Sequence, residues 1–372
     1  MLVGLIFFDL MLDRDKKYLI ALYSFIHFGP ARTKLLVSYF GSPKKVWEVT
    51  FGDLLKVGLR PELANKFIRY RNNFDIERYF SKINDLGVKV VTINDEDYPE
   101  NLKDLNDAPQ VLYVRGKLSK NDVNSVAIVG SRKMTSYGRE VTEKFASELV
   151  QIGVTIVSGL AFGVDLTAHK SALDAGGRCI AVLASGVDII TPRSNVWLGL
   201  KIVKEGGALV SEFPLGLEAQ RHFFPFRNRI ISGLSKAIIV VEGIIRSGTI
   251  HTARHAAEQG RSVFAVPGQI TSPMSQISHY LIKNGAKMIT KVSDILEDLD
   301  LQLKVDKEVI DKVIPSSRLE GKLVKTLSNE PLHIDELARI LKLEVSEVSA
   351  ELTIMELKGV VKNIGNGVYR KL

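Results

Sequence analysis

Six continuously apolar runs of strand length, VAIVG, VTIVSG, CIAVLAS, ALVSE, AIIVVE and VFAVPG, recur between Val126 and Gly268, with helical stretches separating them. A strand wetted on one face alternates apolar and polar residues; these runs do not, so they must be covered on both faces. Buried strands alternating with helices select an α/β fold, here an extended Rossmann-like, doubly wound parallel sheet over residues 109–300. Several runs end in Gly, Ser or Glu, which gathers polar and flexible residues at the carboxyl edge, where such sheets bind ligands.

The flanks obey other rules, and a chain of 372 residues has room for them. Residues 1–108 read as a small helical domain, with Gly-Pro and Gly-Ser-Pro opening two helices in GPARTKLLVSYFGSPKKVWEV, a pattern related to SAM or helix-hairpin-helix modules. VKVVTIND follows as a short strand and EDYPENLKDLNDAP as a loop. Residues 301–315 form a charged linker. Residues 316–372 read as three helices and a hairpin turning at Gly365-Asn366-Gly367, the plan of a winged helix.

The chain carries 50 Lys+Arg against 42 Asp+Glu, a net charge of +8 that suits a polyanion. Its one cysteine, Cys179, sits inside an apolar run with no activating neighbour and reads as a core residue, so structural disulfides within the chain are excluded. The leading MLVGLIFFDLML is short, lacks a basic start and is interrupted by Asp9; it reads as a buried segment rather than a signal or a membrane span, and a cytoplasmic location is expected.

Anion-binding residues collect at the strand ends. Gly130 ends the first run, and Ser131, Arg132 and Thr135 precede a helix, whose free N–H groups and dipole attract phosphate while Arg132 forks onto its oxygens. The second run ends in Ser158-Gly159, where a dinucleotide enzyme would offer an acid to the ribose, and SGLAFGVDLTAHK then enters a helix ending the motif at Lys170. Asp165 and His169 share a face of that helix and are expected to brace the loop by a mutual hydrogen bond. RHFFPFRNRIISGLS interleaves Arg221, Arg227 and Arg229 with Phe223, Phe224 and Phe226, the mixture that binds single strands through phosphate charge and base stacking. At least one phenylalanine of the three belongs to the core. In VVEGIIRSGTIHTARHA, Glu242 ends a strand, and Ser247, Gly248 and Thr249 open a helix, a second anion site. His251 and His255 have the spacing of a zinc motif, but Thr252 stands where its Glu belongs and no third ligand is evident. There is no Walker lysine, no cysteine ligand set and no nucleophile elbow, so neither a cofactor nor a metal is expected.

Taken in order, AIVGSR, IVSGLAFGVDLTAH, AVLASGVD, LVSEFPLG, FPFRNRIISGLS, VVEGIIRSGTIHTA and VFAVPG closely resemble the DprA/Smf family, the DNA-processing proteins of natural transformation. DYPENL and DAPQVLYVRG look like that family's approach to its central domain. The resemblance implies a homodimer that binds and protects single-stranded DNA and loads the RecA recombinase onto it, without enzymatic activity. It carries DNA contacts onto Gly130, Ser131 and Arg132, onto Arg227, Asn228 and Arg229, and onto Arg221 and Phe224. With Thr135, Lys170, Ser247, Gly248 and Thr249, these make up the expected DNA-binding set. The chain departs from the family at Thr191-Pro192, usually Tyr-Pro, and at Ile277 and His279, usually Gly and Asn. The alternative is a nucleotide enzyme like the cytokinin-activating phosphoribohydrolases, which begin with a similar loop but place a catalytic Glu where Thr252 stands.

In the winged helix, the third helix would enter a major groove if the domain read duplex DNA. It carries Glu347, Glu351 and Glu356 against Lys358, which repels phosphates; Lys362, Arg370 and Lys371 make only the hairpin basic. This domain is expected to contact protein, or DNA through its wing alone.

Overall fold

The chain divides into two units at residues 303/304. The computed structural model describes residues 15–245, 247–299, 318–327, 330–357, 360–365 and 367–371. The leading apolar segment, the 301–315 linker, Arg246, Lys358 and Asn366 lie outside them.

The first unit opens with helices over residues 15–24 (α1), Gly29–Phe40 (α2), Pro43–Glu48 (α3), Phe51–Lys56 (α4), Pro61–Asn73 (α5) and Ile76–Asp85 (α6), and a single helical turn, Glu100–Lys103 (α7), lies further on. Proline occupies the first turn of α2, α3 and α5, where a missing N–H leaves no bond unmade. Phe25, Phe28, Leu36, Trp47 and Phe67 form a core of their own. Arg71 ties α5 to this core by donating to the carbonyls of Trp47 (2.6 Å) and Val49 (2.7 Å).

The sheet has nine strands: Val88–Thr92 (β1), Val111–Gly116 (β2), Ser125–Val129 (β3), Thr155–Ser158 (β4), Cys179–Val182 (β5), Ala208–Ser211 (β6), Ala237–Val240 (β7), Ser262–Ala265 (β8) and Lys287–Met288 (β9). Their order is β1-β2-β6-β5-β4-β3-β7-β8-β9. From β6 to β9 every pairing is parallel, whereas β1 and β2 add antiparallel at the β6 edge. The sheet is therefore mixed, and β1 belongs to it although it precedes residue 109.

Successive residues of each central strand point to opposite faces and both faces are dry. Val126, Ile128, Ile156 and Ile239 pack on one side with Phe145, Val164 and Leu198, from helices Ser136–Gln151 (α8), Val164–Asp174 (α9) and Val196–Lys204 (α10). Ala127, Val129, Val157 and Ile238 pack on the other with Ile230, Ile231 and Ala253, from Phe223–Leu234 (α11) and Thr249–Glu258 (α12). Each fully buried aliphatic contributes about 1.5–3 kcal/mol relative to exposure, which is why unbroken apolar runs are retained. Cys179 is free and buried among them. Strands β4, β5 and β6 extend from β3 one way and β7, β8 and β9 the other, so the winding reverses between β3 and β7. That reversal opens a crevice outside the strands' carboxyl ends.

The second unit contains Arg318–Leu327 (α13), Ile334–Leu341 (α14) and Val345–Leu357 (α15), with strands Leu332–His333 (β10), Val361–Asn363 (β11) and Val368–Lys371 (β12) in the order β10-β12-β11. Leu323, Leu337, Val348, Leu352 and Tyr369 join the helices to the hairpin. His333 caps α14, accepting from the Asp335 N–H while its own N–H donates to Glu336.

Candidate nucleic-acid interface

The crevice between β3 and β7 is a cleft of about 500 Å³. Gly130, Ser131, Arg132 and Lys133 reach it from the end of β3, and Ile244, Ser247 and Gly248 from the end of β7. Phe224, Arg227 and Asn228 come from α11, Thr249 and Thr252 from α12 and Asp165 from α9.

The helix starts that follow β3 and β7 differ. Thr135 caps α8, accepting from the Gly138 N–H at 3.0 Å. Its own N–H and hydroxyl donate to the Glu242 carboxylate at 2.5 and 2.7 Å. A side chain at Gly138 would strike that carboxylate. The positive end of α8 is thus neutralised from within by a buried acid. The start of α12 has no side-chain cap; within its first turn the Ile250 and His251 N–H groups donate back to the Ser247 and Gly248 carbonyls at 3.3 and 3.2 Å. Beside it the Ser247 hydroxyl oxygen is buried without a hydrogen-bond partner among the described residues. This start can receive an external anion.

Two arginines flank one ring. The guanidinium carbons of Arg132 and Arg227 lie 5.1 and 5.7 Å from the centre of Phe224. Arg132 is exposed, and among the described residues it is in no ion pair or side-chain hydrogen bond. Arg227 is buried and donates to the carbonyls of Gly159 (2.5 Å) and Val182 (2.8 Å). A side chain at Gly159 would overlap its guanidinium. Burial lowers the Arg227 pKa to about 10, with nearby Asp165 opposing the shift, so it stays charged at neutral pH. Asp165 accepts from the Gly159 N–H at 3.1 Å. Burial raises its pKa and Arg227 counters it.

The cleft therefore offers an exposed cation beside a partly buried aromatic ring, a second cation held rigidly below, and a helix start without a side-chain cap. Such a site grips a phosphate and stacks a base.

The family model described as DNA recombination-mediator protein A matches residues 89–300, and the DprA winged helix domain model matches residues 312–367. Protein Smf of Escherichia coli (strain K12) is 38% identical over 323 residues, spanning 85% of this chain and 86% of that protein. The chain belongs to the DprA/Smf family. The X-ray structure of DprA from Streptococcus pneumoniae superposes with a TM-score of 0.61 at 34% identity, over 72% of this chain and 92% of that one. DNA processing protein A from Helicobacter pylori, whose structure is described in terms of its single-stranded DNA binding mode, superposes with a TM-score of 0.50 at 27% identity, over 57% and 95%.

Of the contacts expected from the sequence, Gly130, Ser131, Arg132, Phe224, Arg227, Asn228, Ser247, Gly248 and Thr249 meet in this DprA/Smf cleft. Four others do not line it. Thr135 is spent on Glu242. Lys170 pairs with Asp174 at 2.9 Å. Arg229 is buried, bonded to the Glu212 carboxylate and to the Asp107 carbonyl, and ties α11 to the loops around it. Arg221 is exposed just ahead of α11. Ser131 and Thr249 also do structural work: the Ser131 N–H donates to the Glu242 carbonyl at 2.9 Å and the Thr249 hydroxyl to the Gly130 carbonyl at 3.1 Å.

The expected bond between Asp165 and His169 does not form, because Asp165 turns to the loop N–H instead. His169 is wholly buried and makes no side-chain hydrogen bond of normal geometry, and burial lowers its pKa to about 3 despite the opposing Ser158 backbone. Lys133 was missed, though it directly follows Arg132 in the loop. Of the three phenylalanines, Phe223 is core and Phe226 is 53% exposed. Among the family departures, Ile277 is buried and its N–H donates to the Gly243 carbonyl at 3.0 Å, while His279 bonds the Gly268 carbonyl at 3.0 Å. Neither lines the cleft.

Proposed function

We propose that this protein binds single-stranded DNA in the switch-point cleft and loads a RecA-type recombinase onto it during natural transformation, as a cytoplasmic homodimer and without catalysis. The observation that carries this reading is Arg132, exposed and, among the described residues, in no ion pair, against Phe224 beside the uncapped start of α12. The single-strand binding named for the Helicobacter pylori relative supports it. Thr252, at the position of the phosphoribohydrolase glutamate, and the neutral, buried His169 offer no acid–base pair to a nucleotide. Among the described residues no helix is long and apolar enough to cross a membrane.

Arg132→Ala tests the cleft. Fluorescence anisotropy with labelled single strands of differing sequence should show about a tenfold loss, roughly 1.4 kcal/mol, for all of them. The slope of log affinity against log salt should fall by about 0.7 for the lost phosphate contact. Wild-type affinity and slope in the variant would refute the site. Recombinase loading is read separately, as strand exchange with and without the protein. The winged helix is assigned to protein contact, or to DNA through its wing alone, because Glu347, Glu351 and Glu356 on its third helix would repel phosphates.

A further inference from the structure

A second recess opens on the same sheet edge. It measures about 690 Å³ and lies between the helical module and the loop that leaves β6. Tyr70, Phe74, Leu215 and Leu217 give it an apolar, aromatic lining, and Lys66 and Arg69 are its exposed cations. No acidic side chain lines it. Among the described residues, neither the Lys66 nor the Arg69 side chain has an ion pair or hydrogen bond, unlike the neighbouring Arg71. The walls are joined: the Leu215 N–H donates to the Tyr79 hydroxyl at 3.1 Å, so the recess is built into the junction.

It is also continuous with the cleft. Leu217, which lines the recess, and Phe224, which lines the cleft, pack against the same small cluster of Ala184, Phe213 and Phe223. Along the sheet, β6 and β3 are three strand spacings apart, about 14 Å. At the 3.4 Å rise of a stacked strand that is no more than about four nucleotides.

Resting on the cleft as a single-strand site, we propose that the same strand continues over this apolar ridge into the recess. There an unpaired base lies against Tyr70 and Phe74, and Lys66 and Arg69 hold the phosphates. The helical module is then the second half of one footprint. Charge complementarity and continuity with the cleft favour this occupant over an apolar peptide, which would leave two cations without partners.

The test compares Arg132→Ala with Lys66→Ala/Arg69→Ala on one labelled single strand of about fifteen nucleotides. Both altered lysine and arginine positions are exposed and unpaired, so thermal melting should match wild type. The double variant should bind at least about fivefold more weakly, with a salt slope smaller by about 1.4, two contacts of about 0.7 each. A series of strands with 2-aminopurine placed at successive positions should show a second quenched position a few nucleotides from the first, lost in Phe74→Ala. If Arg132→Ala weakens binding but the double variant changes neither affinity nor slope, the recess is not on the strand's path and this inference falls while the cleft stands. If Arg132→Ala itself has no effect, the cleft reading falls first.

Discussion

The GSR loop after β3 and the RNR segment of α11 place arginines on two sides of the same phenylalanine, yet their fates are opposite. Arg132 ends in solvent over the ring, in no ion pair or side-chain hydrogen bond among the described residues. Arg227 ends beneath the cleft, its Nη1 donating to two carbonyls and its Nε to the Asn228 carboxamide oxygen, with Asp165 complementing its charge. Both motifs read as phosphate clamps in sequence. Only Arg132 has all its donors free, because a buried cation must be paired and hydrogen-bonded, and for Arg227 the protein supplies most of those partners itself. Arg227 is built into the floor of the cleft, and Arg132 is the residue proposed to take the phosphate.

The largest expected effect breaks this comparison most directly. Arg227→Ala leaves the Gly159 and Val182 carbonyls without their donor and removes the charge facing Asp165, so it should destabilise the fold by about 3–5 kcal/mol in chemical denaturation. Arg132→Ala should stay within about 0.5 kcal/mol of wild type while losing DNA affinity. Arg227→Lys should not rescue stability, since a single ammonium does not reproduce the planar fork. Equal stability of the two alanine variants would mean that the two arginines are interchangeable clamps after all.

The helix starts repeat the contrast. Strand, turn and helix look alike before α8 and before α12, but Glu242 closes the first, while the second has no side-chain cap. Glu242→Gln removes charge-assisted bonds to Thr135, and a loss of about 1.5–3 kcal/mol is expected. Single-strand affinity, measured on the folded variant, should move by less than about threefold. A large gain in affinity would instead indicate that the start of α8 competes for phosphate once its acid is neutralised.

These contrasts explain what could be read in advance. The central strands were legible because both faces of the sheet are buried, so Val126 to Val129 had to be apolar at every position. The addition of β2 to the sheet was not, since VLYVRG follows a turn-rich loop and its antiparallel partners, Leu209 and Val210, lie far along the chain. At the site, strand-end glycines and helix-start hydroxyls announced an anion edge. What they did not announce was which groups the protein itself consumes. Arg227 meets its carbonyls 68 and 45 residues away, and Thr135 meets Glu242 at a separation of 107. Local spacing is blind to such partners, as it was for Asp165 and His169, where a shared helix face lost to a nearby loop N–H.

His169 offers the most graded test of how closed the floor under the RNR side is. Its folded pKa is down to about 3 against an ordinary 6.5, through burial first and the Arg227 charge last. Between those values the unfolded chain binds a proton that the folded chain refuses. The stability tied to His169 is therefore intact above pH 6.5 and drains away as the pH falls toward 3. One such proton corresponds to about 1.4 kcal/mol per pH unit. Urea titrations of wild type and His169→Gln between these limits should differ by that slope, whatever the variant costs at neutral pH. Parallel profiles would mean that water reaches His169 in the folded state, and that the pocket holding Arg227 is as open to solvent as the loop that carries Arg132.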